Sequence, residues 1–322
     1  MLENKMIKPY ASIVILTYKQ FDNLENNIKS ISAQSYKNYE VVIQDDGSPN
    51  FDSSEISRLC KKYFEEGNYK INTNNKNLGT VKNYNRAIKN ASGEVIIPLS
   101  QDDIFASENS LQYIIGFFNK PDVNICCSKR QGKVSKTIYP TKTEINYINE
   151  LDYSHLLICI LYRNFISGAS LIWRKDFLTK LGGYDENYIL MEDYPMILKL
   201  LKEGYSISFL DQVTVNYGEN GVSSGNFSPT YIEDNVHLFN DLLENSEKYV
   251  KSKLCIQLIK YNLLYWKGLK NGKRTIDLSL INIYLLWAIT AIIAHVLRTD
   301  KRSLRLSVLL KAEDKTIKGD KL

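Results

Sequence analysis

Glycine and proline are scarce in this chain of 322 residues, 16 and 7 in number, and no stretch repeats, so collagen-like and low-complexity architectures are excluded. The five cysteines (Cys60, Cys126, Cys127, Cys159, Cys255) are odd in number and include no C-x-x-C pair, which speaks against a disulfide framework or zinc knuckle and for a reducing compartment. The three histidines, His155, His237 and His295, are too far apart to form a metal-ligand spacing. No G-x-G-x-x-G occurs, which disfavours a dinucleotide oxidoreductase. The opening MLENKMIKPY has no basic segment followed by an apolar run, so a cytoplasmic protein is expected. A strong overall charge is missing too: 41 Lys and Arg stand against 36 Asp and Glu, net +5. What is present is 44% apolar residues, enough for a sizeable core. The charge is also unevenly spread. Residues 246–322 carry 16 basic and 6 acidic side chains, net +10, which leaves 25 and 30, net −5, for residues 1–245. A basic tail on an acidic body suggests a partner surface that is anionic.

The first 130 residues alternate between two periods. Short apolar, β-branched runs read as strands at Ser12–Thr17, Glu40–Gln44, Lys70–Thr73, Glu94–Leu99 and Val123–Cys127. Between them, helical spacing runs through Phe21–Ala33, Ser53–Phe64, Val81–Asn90 and Ser107–Asn119. Strands alternating with helices of this length imply βαβ units and a mostly parallel sheet flanked by helices, an α/β fold. Residues 131–165 are more polar and less regular, and read as an insertion or lid. Beyond them come a strand at Gly168–Trp173, helices at Asp176–Leu181 and Met191–Glu203, strands at Ile207–Leu210 and Val213–Tyr217, and helices at Thr230–Asn245 and Tyr249–Leu269.

In parallel α/β sheets ligands sit beyond the carboxyl ends of the strands. Asp45-Asp46-Gly47-Ser48 follows the second strand and Ser100-Gln101-Asp102-Asp103 the fourth; Glu192-Asp193 opens a helix, and Asn77-Leu78-Gly79-Thr80 leads into Lys82, Asn83 and Arg86. Each alone is also an ordinary turn or helix cap. Their joint placement suits transfer from a nucleotide diphosphate. Mg²⁺ or Mn²⁺ binds through one or two carboxylates plus phosphate oxygens, for which Asp102 and Asp103 are candidates. An acid after the second strand can accept from a base N–H or a ribose hydroxyl. A separate carboxylate, Glu192 or Asp193, can take the proton from an attacking hydroxyl.

The stretches SIVILTY (Ser12–Tyr18), VVIQDDGS (Val41–Ser48), NKNLGTVKNYNRAI (Asn75–Ile88), ASGEVIIPLSQDD (Ala91–Asp103), GGYDE (Gly182–Glu186) and MEDYPMILKL (Met191–Leu200) give the chain a resemblance, over about residues 10–225, to the inverting family 2 glycosyltransferases of the GT-A fold. The resemblance implies a GT-A, Rossmann-like domain over residues 1–225 with a helical, basic extension over 226–322. It implies transfer of a sugar from a UDP- or dTDP-sugar to a hydroxyl of a lipid-linked glycan, in surface polysaccharide or glycoconjugate synthesis. Thr17 and Tyr18 would border the nucleotide, Asp45 or Asp46 would bind its base or ribose, and Asn77, Gly79, Lys82, Arg86, Gln101 and Asp102 would line the sugar-donor site. Gly79 would let the backbone approach the ligand. Asp102 and Asp103 would hold Mn²⁺ or Mg²⁺, and the base would be Asp193, with Glu192 the second choice. Two departures from the family pattern stand out. Ser100 occupies the first acidic position of the metal motif, and Tyr217–Ser223 lacks the usual His, leaving Glu219 or Asn220 as substitutes. A catalytically silent, scaffolding subunit is the alternative. A sugar nucleotidyltransferase is disfavoured because Thr17-Tyr18-Lys19-Gln20 is not a Gly-rich basic loop.

In the extension, Leu280–Leu297 has 15 apolar residues of 18. As a helix it would be roughly 27 Å long, just short of a bilayer core. Lys273 and Arg274 precede it and Arg298, Lys301 and Arg302 follow, so a single span would place one basic cluster outside. The expectation is a helix lying in the inner membrane face, followed by a basic amphipathic segment, Arg302–Lys311. A buried helix or a contact in a homo-oligomer is the alternative. No nucleic-acid partner is expected.

Overall fold

The structure is a computed structural model that describes residues 10–219, 227–245, 252–273, 275–297 and 300–319. Its apolar runs become strands because both sheet faces are covered. Ile13 and Ile15 turn to one side with Val41, Ile43, Val95 and Ile97, and Val14, Val42 and Ile96 on the other side are buried as well. The elements are β1 (Ala11–Thr17), α1 (Leu24–Ser32), β2 (Tyr39–Asp45), α2 (Ser53–Lys61), β3 (Tyr69–Thr73), α3 (Thr80–Asn90), β4 (Val95–Pro98), β5 (Ile104–Phe105), α4 (Ser110–Phe118), β6 (Ile125–Gly132), β7 (Ile138–Tyr139), α5 (Lys142–Glu150), α6 (Tyr153–Tyr162), β8 (Leu171–Arg174), α7 (Lys175–Lys180), α8 (Asp193–Lys202), β9 (Ser208–Tyr217), α9 (Pro229–Glu244), α10 (Lys253–Asn271), α11 (Ile281–Leu297) and α12 (Lys301–Gly319). The sheet has nine strands in the order β3-β2-β1-β4-β8-β6-β9-β5, with β7 paired to β6. The long pairs β1–β2, β2–β3, β1–β4 and β6–β9 are parallel, and β8 runs antiparallel between β4 and β6.

Several expectations change. Residues 131–165 hold β7, α5 and α6 rather than an irregular insertion. The β6 strand runs on past Cys127 to Gly132, because β9 and β7 supply partners for its polar half. The two strands expected at 207–217 are one, β9, with register irregularities opposite Ser128–Arg130. Gly168–Ser170 is a 3₁₀ turn ahead of β8.

The chain forms two compact units. One comprises the described residues of Met1–Ile145, Ile166–Ile197 and Ser206–Gly225, the other those of Asn146–Phe165, Leu198–Tyr205 and Asn226–Leu322. In the first, Leu24, Ile28 and Ile31 of α1, Ile56 and Cys60 of α2 and Leu111, Ile114 and Phe118 of α4 close one face of the sheet. The second is helical. Ser252 caps α10 by accepting from Cys255 N–H and donates to the buried Glu313 of α12 at 2.5 Å. His155 of α6 lies between Asp152, the N-cap of its own helix, at 2.8 Å and Asp314 of α12 at 3.2 Å. Burial opposes protonation of His155, but the two carboxylates outweigh it and hold its pKa above the ordinary value.

Candidate active site

Parallel register brings Thr17, Asp45 and Thr73 level at the ends of β1, β2 and β3. The fully buried Asp45 carboxylate accepts from Thr17 Oγ1 and Thr73 Oγ1, both at 3.0 Å, and from Ser48 N–H and Oγ at 2.7 and 2.6 Å. Its four lone-pair positions are thus filled by protein. Asp46, also buried, accepts from Asn74 Nδ2 (2.8 Å), Leu78 N–H (2.9 Å) and Gly79 N–H (2.8 Å), which fixes the loop ahead of α3. Neither aspartate is a bare acceptor, and Asp46 Oδ2 keeps the spare capacity. Replacing Asp45 with Ala leaves donors on β1, β3 and the loop after β2 without an acceptor, so an unfolding loss of about 3 kcal/mol is expected, read as a lower urea midpoint at unchanged m-value.

Tyr18, 40% exposed, sits just past β1 with Lys19 Nζ 4.8 Å from its ring centre. On the other side of Asp46, Asn74 links Asp46, Asn83 and Arg86 Nη1, the last at 2.8 Å. Asn77 is exposed on this loop, and Lys82 is half-buried in the first turn of α3. Gly79, expected to admit a ligand, instead admits protein. Its φ is +89°, and a Cβ there would lie 2.7 Å from the Ile189 carbonyl oxygen, which accepts from Val81 N–H.

After β4, the loop carrying Ser100–Asp103 is held by Asn27 on the buried face of α1. Its Nδ2 donates to the carbonyls of Leu99, Ser100 and Asp103 at 3.2, 2.9 and 2.8 Å. Asp103 is fully buried; Oδ1 accepts from Gly218 N–H at 2.8 Å and Oδ2 has no hydrogen-bond partner. Burial, reinforced by the neighbouring Asp102 charge, pushes the Asp103 carboxyl up to about 8. Asp102 is raised as well, chiefly by burial. Gln101 Oε1 is another buried atom without a partner. Among the described residues no group of three or more His, Cys, Asp or Glu gathers around one point. The pair still fits a divalent ion held by two carboxylates and completed by substrate phosphates, because an orphaned buried carboxylate oxygen is what such an ion would satisfy.

Asp193 is the first residue of α8 and accepts from Gly168 N–H at 2.8 Å. A Cβ on Gly168 would meet Glu192 Oε1 at 2.6 Å and Asp193 Cβ at 3.3 Å, so a side chain there would push the Glu192 carboxylate aside and press on Asp193. Gly168→Ala is therefore expected to lower kcat about tenfold with a smaller change in KM, checked by steady-state kinetics. Asp193 keeps some surface at solvent yet is densely surrounded, and burial pushes its carboxyl up against the opposing pull of Gly168 N–H and Arg130. Glu192 lies close enough to the buried Tyr84 and Tyr184 to raise both phenols further, although burial is the larger cause.

Arg130 of β6 carries a charge felt at both acidic groups. Its positive charge opposes, without overcoming, the burial that raises Asp103 and Asp193; its guanidinium lies 4.3 Å from the Tyr217 ring centre, and its buried Nε has no partner. Lys133, in the turn after β6, donates to the Asp102 carbonyl at 2.5 Å. Glu219 is tied to that turn, accepting from Val134 and Ser135 N–H at 2.5 and 2.9 Å, while Asn220 lies outside the described residues. Arg130, Lys133, Asn27 and Gly168 were not among the residues expected from sequence. The one signal for Asn27 is an amide among Leu24, Ile28 and Ile31 on an apolar helix face.

The family model for glycosyl transferase family 2 matches residues 12–179. The chain belongs to glycosyl transferase family 2. This transferase is 26% identical over 258 residues to an uncharacterized glycosyltransferase of Rickettsia typhi, covering 77% of this chain and 76% of the relative. Over 200 residues it is 25% identical to the O-antigen chain rhamnosyltransferase WbaN of Salmonella anatum, covering 56% of this chain and 61% of that protein. Among solved structures the transferase is similar to residues 1–349 of S. aureus TarS in complex with UDP-GlcNAc, with a TM-score of 0.61, 17% identity, and 96% and 92% of the two chains covered. It is also similar to the mannosyltransferase PcManGT of Pyrobaculum calidifontis in complex with GDP-Man and Mn²⁺, with a TM-score of 0.56, 14% identity, and 96% and 87% covered. These likenesses establish the GT-A fold and glycosyltransferase membership.

Proposed function

We propose that this transferase moves a sugar, with inversion, from a UDP- or dTDP-sugar to a hydroxyl of a lipid-linked glycan at the cytoplasmic membrane face, in surface polysaccharide synthesis. The carrying observation is the buried Asp103 carboxylate at the end of β4, whose Oδ2 has no hydrogen-bond partner beside Asp102, as a site for a diphosphate-bound divalent ion requires. Residues 1–225 are assigned the chemistry and residues 226–322 the acceptor's membrane.

Tyr18 offers a ring face to the base, and Asp46 Oδ2 keeps one acceptor position for the nucleoside. The diphosphate lies toward Asp102 and Asp103 within reach of Arg130 and Lys133, whose charges offset the negative charge growing on it. Asp193 accepts the proton of the acceptor hydroxyl, whose oxygen bonds to the anomeric carbon on the face opposite the departing oxygen. The bond from that carbon to the diphosphate breaks, and its electron pair leaves with the nucleoside diphosphate. Gly168 N–H holds the Asp193 carboxylate in place while Glu192, beside it, remains the second candidate. Mn²⁺ or Mg²⁺, when held by Asp102 and Asp103, supplies Lewis-acid stabilisation of the leaving diphosphate. The relative named for rhamnosyl transfer to O-antigen and the Mn²⁺-bound mannosyltransferase support acceptor class and metal by analogy.

The test is a thermal-shift screen with UDP-, GDP- and dTDP-sugars with and without Mn²⁺, followed by transfer to a lipid-linked acceptor. A metal-dependent rise in Tm with a UDP- or dTDP-sugar is expected; no response to any nucleotide sugar defeats the reading. Ser100 in the first acidic position of the metal motif favours a scaffolding subunit, and measurable donor hydrolysis would remove that alternative.

A further inference from the structure

Helix α11 is inside out. Ile283, Thr290 and Ala294 are buried against its own helical unit, with Trp287 half-buried on the same side. Trp287 stacks edge-on against Tyr162 and Tyr261, with ring centres 5.4 and 5.7 Å away. Arg305 of α12 donates to Thr290 Oγ1 at 3.1 Å and to the Trp287 carbonyl at 2.9 Å. The side turned inward thus carries the hydroxyl, the indole and an arginine contact. The side turned outward carries the large aliphatics: Ile281, Leu285, Ile289, Ile292 and Val296 are each 47–71% exposed. Their spacing of three or four residues makes a single stripe about 22 Å long, and Ile276 and Leu278 lead into it, both highly exposed. The stretch Leu278–Val296 has a mean hydropathy of 1.8, and only 22% of it is buried. A water-facing helix has the opposite arrangement.

We propose that this stripe is an in-plane membrane-docking face that inserts into the headgroup boundary of an anionic phospholipid leaflet. It does not cross the bilayer, because its other side is held by Arg305, Tyr162 and Tyr261. Charge selects the occupant. Exposed Lys273 stands before the stripe and exposed Lys301 and Arg302 after it, with Arg274 and Arg298, outside the described residues, adding to both flanks in sequence. The nearby acids are Asp277, which accepts from Ser279 N–H, and Asp300. A second copy of this helix, packed parallel or antiparallel, would bring cations against cations at both ends, whereas anionic headgroups meet both flanks favourably.

This deepens the proposed membrane-face reading by naming the surface, and vesicle binding is measured apart from transfer so that either can fail alone. The full chain is floated with vesicles of phosphatidylcholine alone or with one-third phosphatidylglycerol, at low and high salt. Wild type should float with the anionic vesicles. Leu285→Asp/Ile289→Asp should reduce the bound fraction at least about tenfold at unchanged Tm and donor hydrolysis. Lys301→Glu/Arg302→Glu, which leaves the stripe intact, should abolish the preference for phosphatidylglycerol and the salt dependence. Wild-type protein that ignores both vesicles, or a double aspartate variant that floats as well as wild type, overturns the proposal. So does a wild-type dimer that ignores vesicles and that the aspartates split in sedimentation velocity.

Discussion

Asp193→Asn should lower kcat about 10³-fold while the protein remains folded and becomes slightly more stable. The rate loss follows from removing the group that takes the acceptor's proton. The stability gain follows from burial, which raises the Asp193 carboxyl and makes its ionised form costly in the folded state. An amide oxygen keeps the contact with Gly168 N–H and carries no charge. For an acid with a raised folded pKa, the cost is full above that pKa, shrinks as pH falls below it and is gone below the unfolded value. The stability difference between variant and wild type should therefore close in acid. The same direction governs catalysis: kcat of the wild type should rise with pH along a limb whose midpoint lies above the ordinary carboxylate range. Kinetics of both proteins across pH, alongside thermal melts, check all three statements. A variant that turns over at near wild-type rate shifts the assignment to Glu192.

Asp103→Asn should be comparably severe, a drop of about 10³-fold in kcat/KM, roughly 4 kcal/mol of lost transition-state stabilisation. Its Oδ1 can still accept from Gly218 N–H after the change, so the fold should hold; what disappears is the carboxylate that a divalent ion would hold through the unpartnered Oδ2. The discriminating measurement is nucleotide binding. Wild type should show a Tm rise with UDP or dTDP that grows on adding Mn²⁺, and the variant should keep the first part and lose the second. Asp102→Asn should behave alike. If both variants retain the metal-dependent increment, the divalent ion is held elsewhere.

How far these residues could be read from sequence depends on what surrounds them. The strands β1, β2 and β4 are buried on both faces, so their centres (Ile13–Leu16, Val41–Ile43 and Val95–Ile97) are apolar without alternation, which places Asp45, Asp46, Asp102 and Asp103 at or just beyond strand ends. The pair at 192–193 reads as a helix start, and Asp193 is one. Arg130 escapes because Ser128-Lys129-Arg130-Gln131 interrupts the apolar run of Ile125–Cys127; the strand persists through pairing with β9 and β7, a long-range cause that local pattern does not carry. Asn27 escapes for a similar reason, since its carbonyl partners lie more than 70 residues away. Helix α6 is nearly all apolar, LLICIL within it being wholly buried, and a run without polar punctuation has no period to read. Gly79 was legible as a position that tolerates no side chain, but the group approaching it is the Ile189 backbone.

The tie of Thr17 and Thr73 to one aspartate has a temporal consequence. Until β3 has zipped onto β2, Asp45 lacks the Thr73 donor among its four, and the Asn74–Gly79 segment is not yet brought to Asp46. A nascent chain stalled before residue 73 should have no nucleotide affinity. Nucleotide added during refolding should slow the unfolding arm of the chevron, because it binds the completed edge and not the unfolded chain.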